Sequence, residues 1–437
     1  MLKYILLFAF ISIVAFTSMT CHSPTAPPGN GTFTLTLSDT TCTEAWLKVH
    51  LGGAFSERTV EITRDSGVVL TLRLPQTDTV IADTGLLPNR GYTYTAELTN
   101  NSTAVKTTDP LYVRTLDTTS GSFTFQTFTL GGAASSMLND IAIINDTLAY
   151  AVGLVYAYDS TGQVDQQPYS VAKWNGRSWS LVKLFDKSGL VVTPIRGILV
   201  KDSTIWLAAG SVYRWDGYSS QAELSLSRLT LSDPNATVEK LWGTSNLSLY
   251  GVGNSGTIIH SNGTTWTSIA SGTTLDIRDV WGGTNNATGA MEIYATAGNP
   301  LISPDNVIVQ ISGTKAQEIS TVGIGGGLNG LWFSPGRYYW IVGDGVWEKH
   351  PALSAASWSM QSITHHTIDA VRGNGINDVF MCGAYGEFLH FNGVSWRSYQ
   401  SDVGIPGAYF AIAVHGNMVI AVGEEPPYAV VLIGKRN

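Results

Sequence analysis

The feature that most constrains the fold of this chain is a unit that recurs seven times in its C-terminal three quarters. Each unit begins with an apolar anchor residue in a short strand and reaches a glycine at the end of a second strand. The anchors are Ile141, Ile198, Leu241, Val280, Leu331, Val371 and Ile412, and the glycines are Gly153, Gly210, Gly253, Gly298, Gly343, Gly383 and Gly423. The anchor and the glycine lie 12 residues apart in five units, 18 apart in the fourth and 11 apart in the seventh. Such a period is typical of stacked units that share a core.

The second half of several units ends in a turn that also repeats. An Asn-Gly pair precedes a tryptophan in three units: Asn175-Gly176 before Trp179, Asn262-Gly263 before Trp266, and Asn392-Gly393 before Trp396. Asn-Gly suits a tight hairpin, so this turn is predicted to join a third strand to a fourth. Each tryptophan is then expected to pack on the neighbouring hairpin. In the second unit Asp216-Gly217 takes this place without a tryptophan. Four strands every ~40–45 residues predict an all-β chain with a seven-bladed β-propeller over residues 121–437.

The ends of the repeat region predict how the propeller closes. The seventh unit stops at Ala429–Gly434 with no fourth strand after it, and an unassigned strand, Ser122–Leu130, precedes the first unit. We expect this N-terminal strand to become the outer strand of the last blade, because an unclosed sheet would leave an exposed edge. Inserts at Tyr156–Ser170 and Gly283–Met291 lengthen the first and fourth units.

Residues 32–116 show alternating apolar positions in six short segments, which predict an antiparallel sandwich of about seven strands. Leu86, Pro88 and Tyr92 in GLLPNRGYTYTAEL resemble the corner of fibronectin type III modules. That resemblance implies that Pro88 ends one strand and that the Tyr92 hydroxyl folds back onto the chain. Trp46 is predicted to fill the core. A spacer role is favoured over a ligand site for this module.

The N-terminus has the pattern of an export signal. Residues 1–20 carry Lys3 and then an apolar run too short for a membrane anchor. A cysteine, Cys21, follows directly and resembles the lipidated cysteine of bacterial lipoproteins, with a plain cleaved signal as the alternative. Residues 21–31 contain three prolines and are predicted to be a flexible tether. These features indicate an outer-membrane or cell-surface lipoprotein, with a periplasmic or secreted protein as the alternative.

Composition excludes several functional classes. Only 13% of residues are charged, the net charge is -8 and no basic run occurs, which disfavours nucleic-acid binding. The three cysteines, Cys21, Cys42 and Cys382, lack the spacing of a zinc site, and no cofactor is expected.

The turn sequences HSNGTTW and HFNGVSW resemble the Asp-box turn of bacterial sialidase-type propellers and of photosystem-assembly-like repeats, although the Ser-x-Asp-x-Gly order is absent. A sialidase site needs three converging arginines. Arg196, Arg278 and Arg372 lie on or just before first strands and could approach the central funnel, with Asp279 and Asp369 nearby. Surface ion pairs are the favoured alternative. Neither a paired set of carboxylates nor a Gly-x-Ser-x-Gly elbow is found, so no catalytic residue is assigned.

Three tryptophans form the remaining candidate site. Trp242, Trp281 and Trp332 follow the anchors of units three to five. They could stack against sugar rings in the funnel, but packing between blades is the favoured interpretation. His365-His366 and Asp159–Asp165 resemble metal sites only loosely, and ordinary loops are favoured for both.

Together these patterns predict an exported protein, anchored to the membrane only through lipid, that presents a propeller for binding without catalysis. The expected partner is a glycan or an envelope protein, and the chain is expected to be a monomer. A sialidase-like hydrolase or sugar transferase, and an envelope assembly factor, are the alternatives.

Overall fold

This computed structural model describes residues 31–53, 59–74, 77–100, 103–286, 288–298, 305–350 and 357–437. The predicted signal peptide, Cys21 and all but the last residue of the predicted tether lie outside the described residues. No helix in the described ranges is long and apolar enough to cross a bilayer. Contacts divide the chain into two units, with the boundary in the linker between Thr119 and Ser120.

The first unit is built of two antiparallel sheets. One sheet has the order β1-β2-β5, and the other has the order β4-β3-β6-β7 with β8 also paired to β6. Two strands, β5 and β7, were not predicted, because both are rich in threonine and lack a clear apolar alternation. The strands are β1 (Thr32–Thr40), β2 (Glu44–Gly52), β3 (Thr59–Arg64), β4 (Gly67–Arg73), β5 (Asp78–Thr84), β6 (Gly91–Asn100), β7 (Thr103–Thr107) and β8 (Leu111–Arg114).

Period-two alternation decides which side chains of β2 fill the core of this unit. Ala45, Leu47 and Val49 are buried members of the core cluster. Trp46 lies between them in sequence and therefore on the opposite face of the strand, where its indole N–H donates to Glu44 Oε2 at 3.2 Å. Trp46 is buried, but on the face of β2 opposite the cluster that contains Leu47.

The corner of this unit is closed by a side chain to backbone hydrogen bond. The Leu87 N–H donates to the Tyr92 hydroxyl at 2.8 Å. Leu86 and Tyr92 both lie in the core cluster, so the bond ties the turn directly to buried side chains.

In the second unit, the described residues form seven four-stranded antiparallel sheets. Six of them contain four strands in chain order, which we number sheet 1 to sheet 6. Sheet 1 is β10 (Met137–Asn145), β11 (Leu148–Val155), β12 (Tyr169–Trp174) and β13 (Trp179–Val182); sheet 2 is β14 (Gly197–Lys201), β15 (Thr204–Ala209), β16 (Ser211–Trp215) and β17 (Glu223–Leu226); sheet 3 is β18 (Lys240–Ser245), β19 (Ser248–Val252), β20 (Ile258–Ser261) and β21 (Trp266–Ser268); sheet 4 is β22 (Ile277–Thr284), β23 (Met291–Gly298), β24 (Asn306–Ser312) and β25 (Lys315–Ile319); sheet 5 is β26 (Leu328–Ser334), β27 (Tyr338–Gly343), β28 (Val346–Lys349) and β29 (Ser359–Met360); sheet 6 is β30 (Ile368–Gly375), β31 (Asp378–Gly383), β32 (Phe388–Phe391) and β33 (Trp396–Ser398).

Sheet 7 takes its outer strand from the start of the unit. It contains β34 (Ala408–His415), β35 (Met418–Glu425) and β36 (Tyr428–Arg436), followed by β9 (Phe123–Gly131). Phe123 lies opposite Arg436 and Gly131 lies opposite Tyr428 in this pairing. The predicted pairing of the unassigned N-terminal strand with the last strand is therefore confirmed. Helical structure is limited to α1 (Gln400–Val403) and two 3₁₀ turns, Arg228–Thr230 and Ala384–Gly386, in the described residues.

The first strands of successive sheets lie side by side, and β34 of sheet 7 lies beside β10 of sheet 1. Apolar side chains fill the spaces between the sheets. One such cluster joins Leu138 and Ile141 of sheet 1 to Ile420 and Val431 of sheet 7. The anchors identified in the sequence thus pack between sheets, which is why each unit repeats an apolar residue at that position.

The repeated Asn-Gly turns join third and fourth strands, as predicted. The Asn262 side-chain oxygen accepts from the N–H groups of Thr264 and Thr265 at 3.0 and 2.9 Å, and Gly263 has a φ of 92°. Asn175, Asp216 and Asn392 accept the same pair of backbone bonds in their sheets. The side chain thereby supplies an acceptor that the four-residue loop itself lacks.

The turn tryptophans make ring contacts of two kinds. Trp266 contacts Trp206 and donates to Ser225 Oγ at 3.1 Å, both in sheet 2. Trp179 and Trp396 have ring contacts with Trp174 and Phe391 of their own sheets. Trp179 also packs against the cluster between sheets 1 and 7, so Trp266 and Trp179 both contribute to packing between sheets.

Candidate functional site

The repeated glycine has a structural cause that leads to the candidate site. In five sheets a Cβ at this glycine would lie about 2 Å from the backbone carbonyl of the residue four before the anchor. At Gly253 that distance is 1.9 Å, to the Thr237 oxygen. Only glycine allows the start of the first strand to approach the end of the second so closely. The other four glycines with this approach are Gly153, Gly343, Gly383 and Gly423.

Just after this close approach, the first strand contains a β-bulge. In sheets 1, 4, 5, 6 and 7 the register shifts at the residue two before the anchor, which is left without a partner in the second strand. In sheets 2 and 3 the equivalent residue directly precedes the first strand. A bulge redirects a side chain away from the regular alternation of the strand. We call the seven residues at this position the bulge set: Asn139, Arg196, Glu239, Arg278, Asn329, Asp369 and Phe410.

Every member of the bulge set is at least partly exposed. All seven lie where first strands begin, and in an antiparallel sheet the connection from second to third strand lies at the same end. We call this end of the sheets the entry face. The insert Tyr156–Ser170 joins β11 to β12, so it also lies on the entry face, whereas the Asn-Gly turns lie at the other end.

Two members of the bulge set make the same bond to the following sheet. Asn139 Nδ2 donates to the Ile195 carbonyl at 2.9 Å, and Asn329 Nδ2 donates to the Ile368 carbonyl at 3.2 Å. In both cases the acceptor is the residue immediately before the next member of the set. These amides therefore fix the spacing of neighbouring first strands at the entry face.

The four charged members differ in how they are paired. Arg196 Nε lies 3.2 Å from Glu239 Oε2, so this pair neutralises itself. Arg278 Nε donates to the Gly298 carbonyl at 3.1 Å, and Asp369 Oδ1 accepts from Asn329 Nδ2 at 3.1 Å. Burial raises the pKa of Asp369 to about 7, opposed by the positive charge of Arg278 and reinforced by the negative charge of Asp344.

One residue further along the strands, buried charges connect the sheets. Asp140 of sheet 1 accepts from the Ile198 N–H of sheet 2 at 3.0 Å and from Lys240 Nζ of sheet 3 at 2.7 Å. Its carboxylate therefore contacts three successive sheets. The bonded groups are charged, which makes them stronger than neutral hydrogen bonds.

Asp279 repeats this arrangement in the other half of the unit. It accepts from the Leu331 N–H of sheet 5 at 3.1 Å, and its two oxygens each lie 2.8 Å from an Arg372 nitrogen of sheet 6. Although burial opposes ionisation, the Arg372 charge holds the pKa of Asp279 below its usual value. We call Asp140, Lys240, Asp279 and Arg372 the buried clamps.

Of the three arginines that the sequence suggested, one is engaged with the protein itself. Arg196 and Arg278 belong to the exposed bulge set, but Arg372 is bound to Asp279 and to the backbone carbonyls of Leu331 and Val371. An anion held by all three arginines would have to compete with Asp279 for Arg372.

The three candidate tryptophans pack between sheets. Trp242 and Trp332 are buried, and each fills a slot above a glycine of the next sheet: a Cβ at Gly282 would lie 2.6 Å from Trp242, and one at Gly373 would lie 3.0 Å from Trp332. Trp281 is partly buried and lies under the Arg372 guanidinium, 5.1 Å from its ring centroid. These positions agree with packing between sheets. Trp242 and Trp332 are buried, so neither ring has an exposed face on which a sugar could stack.

Neither loop with a loose likeness to a metal site gathers ligands. The described residues hold no group of three or more His, Cys, Asp or Glu side chains that could bind a metal ion. In the insert, the Asp159 carboxylate accepts from the N–H groups of Thr161 and Gln163, which is the geometry of an ordinary polar turn.

The comparisons with known proteins establish the class to which this architecture belongs. The chain is all-β, and its four-stranded sheets resemble β-propeller blades. A structure of YCF48 bound to D1 peptide matches with a TM-score of 0.51 and 14% identity, covering 72% of this chain and 97% of that one. The WD40 β-propeller domain of Doa1 matches with a TM-score of 0.51 and 12% identity, covering 72% and 97%. No protein-family model matches the sequence, and no curated protein matches it. The likeness therefore shows the fold.

Sequence reasoning found part of this site. It selected Arg196 and Arg278, and it noted Asp369, but it missed Asn139, Glu239, Asn329 and Phe410 as members of one set. The available signal was positional, since all seven stand two residues before an anchor. Residue type alone could not reveal the set, because its members share a backbone position and not a chemistry.

Proposed function

We propose that this protein is a non-catalytic binding protein whose seven sheets are the blades of a seven-bladed β-propeller closed by β9. In this proposal the entry face recognises a partner protein, and the bulge set forms a ring of side chains at its centre. The observation that carries the proposal is the recurrence of one partly exposed position, two residues before the anchor, in all seven sheets. In five of the sheets a bulge directs its side chain. Fixed backbone with varied side chains is how a recognition surface is built on a rigid scaffold.

The buried clamps support binding over catalysis at this centre. Beneath the bulge set the charged groups are already paired, so Asp279 and Arg372 are not free to act on a substrate. The YCF48 structure named above contains a peptide, and it supports a protein ligand for a propeller of this kind. A glycan, the other ligand that the sequence suggested, is the alternative to a protein partner. An enzyme of the sialidase or sugar-transferase type is the other alternative, and Arg372, one of its three candidate arginines, is bound to Asp279.

We further propose that residues 32–116 are a fibronectin type III-like spacer that carries the propeller away from the membrane. The two antiparallel sheets and the Tyr92 corner support this assignment. Export by residues 1–20 and lipid attachment at Cys21 would place the protein at the cell envelope. An envelope assembly factor is the version of this function in which the partner is itself an envelope protein.

Site-directed photocrosslinking tests the entry face. A benzoylphenylalanine is placed at Phe410, a partly exposed member of the bulge set, and for comparison at Tyr218, which is 83% exposed in a turn at the other end of the sheets. Irradiation of intact expressing cells should give a discrete protein adduct from position 410 and none from position 218. Adducts from 218 alone, or specific binding on a glycan array with no protein adduct, would overturn the proposed partner or face.

A further inference from the structure

One pair of opposite charges in the bulge set is open. Arg278 of sheet 4 and Asp369 of sheet 6 affect each other electrostatically, yet no ion pair joins them within the described residues. Asn329 of sheet 5 lies between them in the order of the sheets and bonds to Asp369. By contrast, Arg196 and Glu239 of the adjacent sheets 2 and 3 are in contact. The open pair thus differs from Arg196 and Glu239 in having one sheet between its members.

The open pair also contrasts with the buried clamps. Asp279 and Arg372 likewise belong to sheets 4 and 6, but their side chains meet across sheet 5 in a two-bond ion pair. At the bulge position, the same two sheets hold the arginine and the acid in the reverse order, and Asp369 is bonded to Asn329 of the sheet between them. Side chains of sheets 4 and 6 can therefore meet across sheet 5, but Arg278 and Asp369 of the bulge set form no ion pair in the described residues.

The chemistry left available is specific. Arg278 is exposed, and its Nε is engaged with a backbone carbonyl, so the outer part of its guanidinium fork is presented at the entry face. Exposed Asp344, which accepts from the Gly327 N–H, adds a second negative charge near Asp369. A ligand that bridges this region must offer an acceptor, preferably anionic, at Arg278 and a cation at Asp369.

We propose that the partner is an extended protein segment that places an acidic side chain on Arg278 and a basic side chain on Asp369. This inference rests on the proposed function and names the partner's chemistry at its centre. A segment of mixed charge matches both poles, whereas an acidic or a basic segment matches one and is repelled by the other. The Asn329 amide nitrogen already donates to Ile368 and Asp369, and its oxygen can accept a backbone N–H of the segment between the two charged side chains.

Fluorescent peptides provide the test. The probes are Ser-Gly peptides that carry one Glu and one Lys, in both orders and with spacers of increasing length, beside matched peptides with Gln at both positions. At least one mixed-charge peptide should bind the full-length protein about tenfold more tightly than its Gln counterpart, a difference of about 1.4 kcal/mol. The double variant Arg278→Glu/Asp369→Arg should reverse the preferred order of Glu and Lys.

A matched charge reversal elsewhere separates this effect from a change in net charge. Arg214 and Glu223 form an exposed ion pair at 2.9 Å on the outer strands β16 and β17. The variant Arg214→Glu/Glu223→Arg should keep the wild-type preference. For the wild type, the preference for the mixed-charge peptide should grow between pH 6 and pH 8 as Asp369 ionises near pH 7, and Asp369→Asn should remove that growth. Arg278 and Asp344 are the charged groups that act on Asp369 in this range.

Equal binding of mixed-charge and Gln peptides by the wild type overturns the inference. So does a preference that survives the Arg278→Glu/Asp369→Arg exchange unchanged. Failure of the proposed function has a different signature, which is the absence of a protein adduct from position 410 in cells. A protein adduct from position 410 combined with equal binding of the mixed-charge and Gln peptides would support the entry face as the binding surface. It would contradict only the inference that the partner carries mixed charge.

Discussion

Arg372 and Asp279 form a two-bond ion pair in which both nitrogen–oxygen distances are 2.8 Å, although the residues are 93 positions apart in the chain. The same aspartate accepts the N–H of Leu331 from the sheet between them. Asp140 makes the equivalent contacts to Ile198 and Lys240. Two carboxylates thus each connect three successive sheets. Sheet 7 is completed in another way, by the pairing of its outer strand β9 with β36.

Removing one partner of a buried clamp should be costly. Arg372→Met leaves the Asp279 carboxylate buried without its counter-charge, and we expect a loss of about 3–5 kcal/mol in the free energy of unfolding of the second unit. Urea denaturation followed by tryptophan fluorescence measures this loss. The double variant Asp279→Asn/Arg372→Met keeps an oxygen for the Leu331 N–H and should recover part of it. A cost below about 1 kcal/mol for Arg372→Met would contradict the role given to the clamp.

The repeated glycine should not accept even a methyl group. In Gly253→Ala the new Cβ would lie 1.9 Å from the Thr237 carbonyl, so the backbone before the first strand of sheet 3 must shift. We expect a loss of about 1–3 kcal/mol in stability. Gly325→Ala is the control, because a Cβ there meets nothing within 4 Å, and it should change stability by no more than about 0.5 kcal/mol. Equal melting temperatures for the two variants would show that the close approach carries no strain.

Asp369 should make the stability of the second unit fall as pH rises. Its pKa is about 7 in the folded protein and lies near the ordinary aspartate value of 3.8 in the unfolded chain, so between these values the folded state binds more protons. Stability is therefore greatest below pH 4 for this group and is lost progressively as pH approaches 7. The Asp369→Asn variant lacks this loss. Melting temperatures at pH 5 and pH 8 should move closer together in the variant than in the wild type, and an unchanged difference would contradict the raised pKa.

The hydroxyl of Tyr92 should stabilise the first unit through one bond. Tyr92→Phe leaves the Leu87 N–H without its acceptor, and we expect a loss of about 0.5–1.5 kcal/mol. Tyr112→Phe is the matched control, since that ring is 64% exposed, and it should be nearly neutral. Thermal unfolding of the two variants compares them directly. If the variants have equal stability, the corner hydroxyl is not a stabilising contact.

The sequence predicted the strands of the second unit well because three local signals agree there. Apolar anchors mark first strands, glycines mark the ends of second strands, and Asn-Gly turns mark the passage from third to fourth strands. The pairing of β9 with β36 could also be predicted by counting strands. The seventh repeat had no fourth strand, and the strand before the first repeat had no assigned sheet. The threonine-rich strands β5 and β7 were missed because they carry little apolar alternation.

Trp46 and Arg372 show what local reasoning could not decide. Trp46 is buried, but its parity places it on the face of β2 opposite the cluster that contains Leu47. Arg372 and Arg278 look alike in sequence, since each lies within two residues of an anchor. One is exposed because it sits on a bulge, and the other is buried because an aspartate from two sheets away meets it.

The sequence by itself therefore determined the elements and their repetition, because strand period, turn chemistry and glycine spacing act within a few residues. It also set the position of the bulge set, since all seven members stand two residues before an anchor. Only the tertiary structure decided which charges are paired and which are open. That choice depends on which first strands stand next to one another, and such contacts join residues tens of positions apart that share no local pattern.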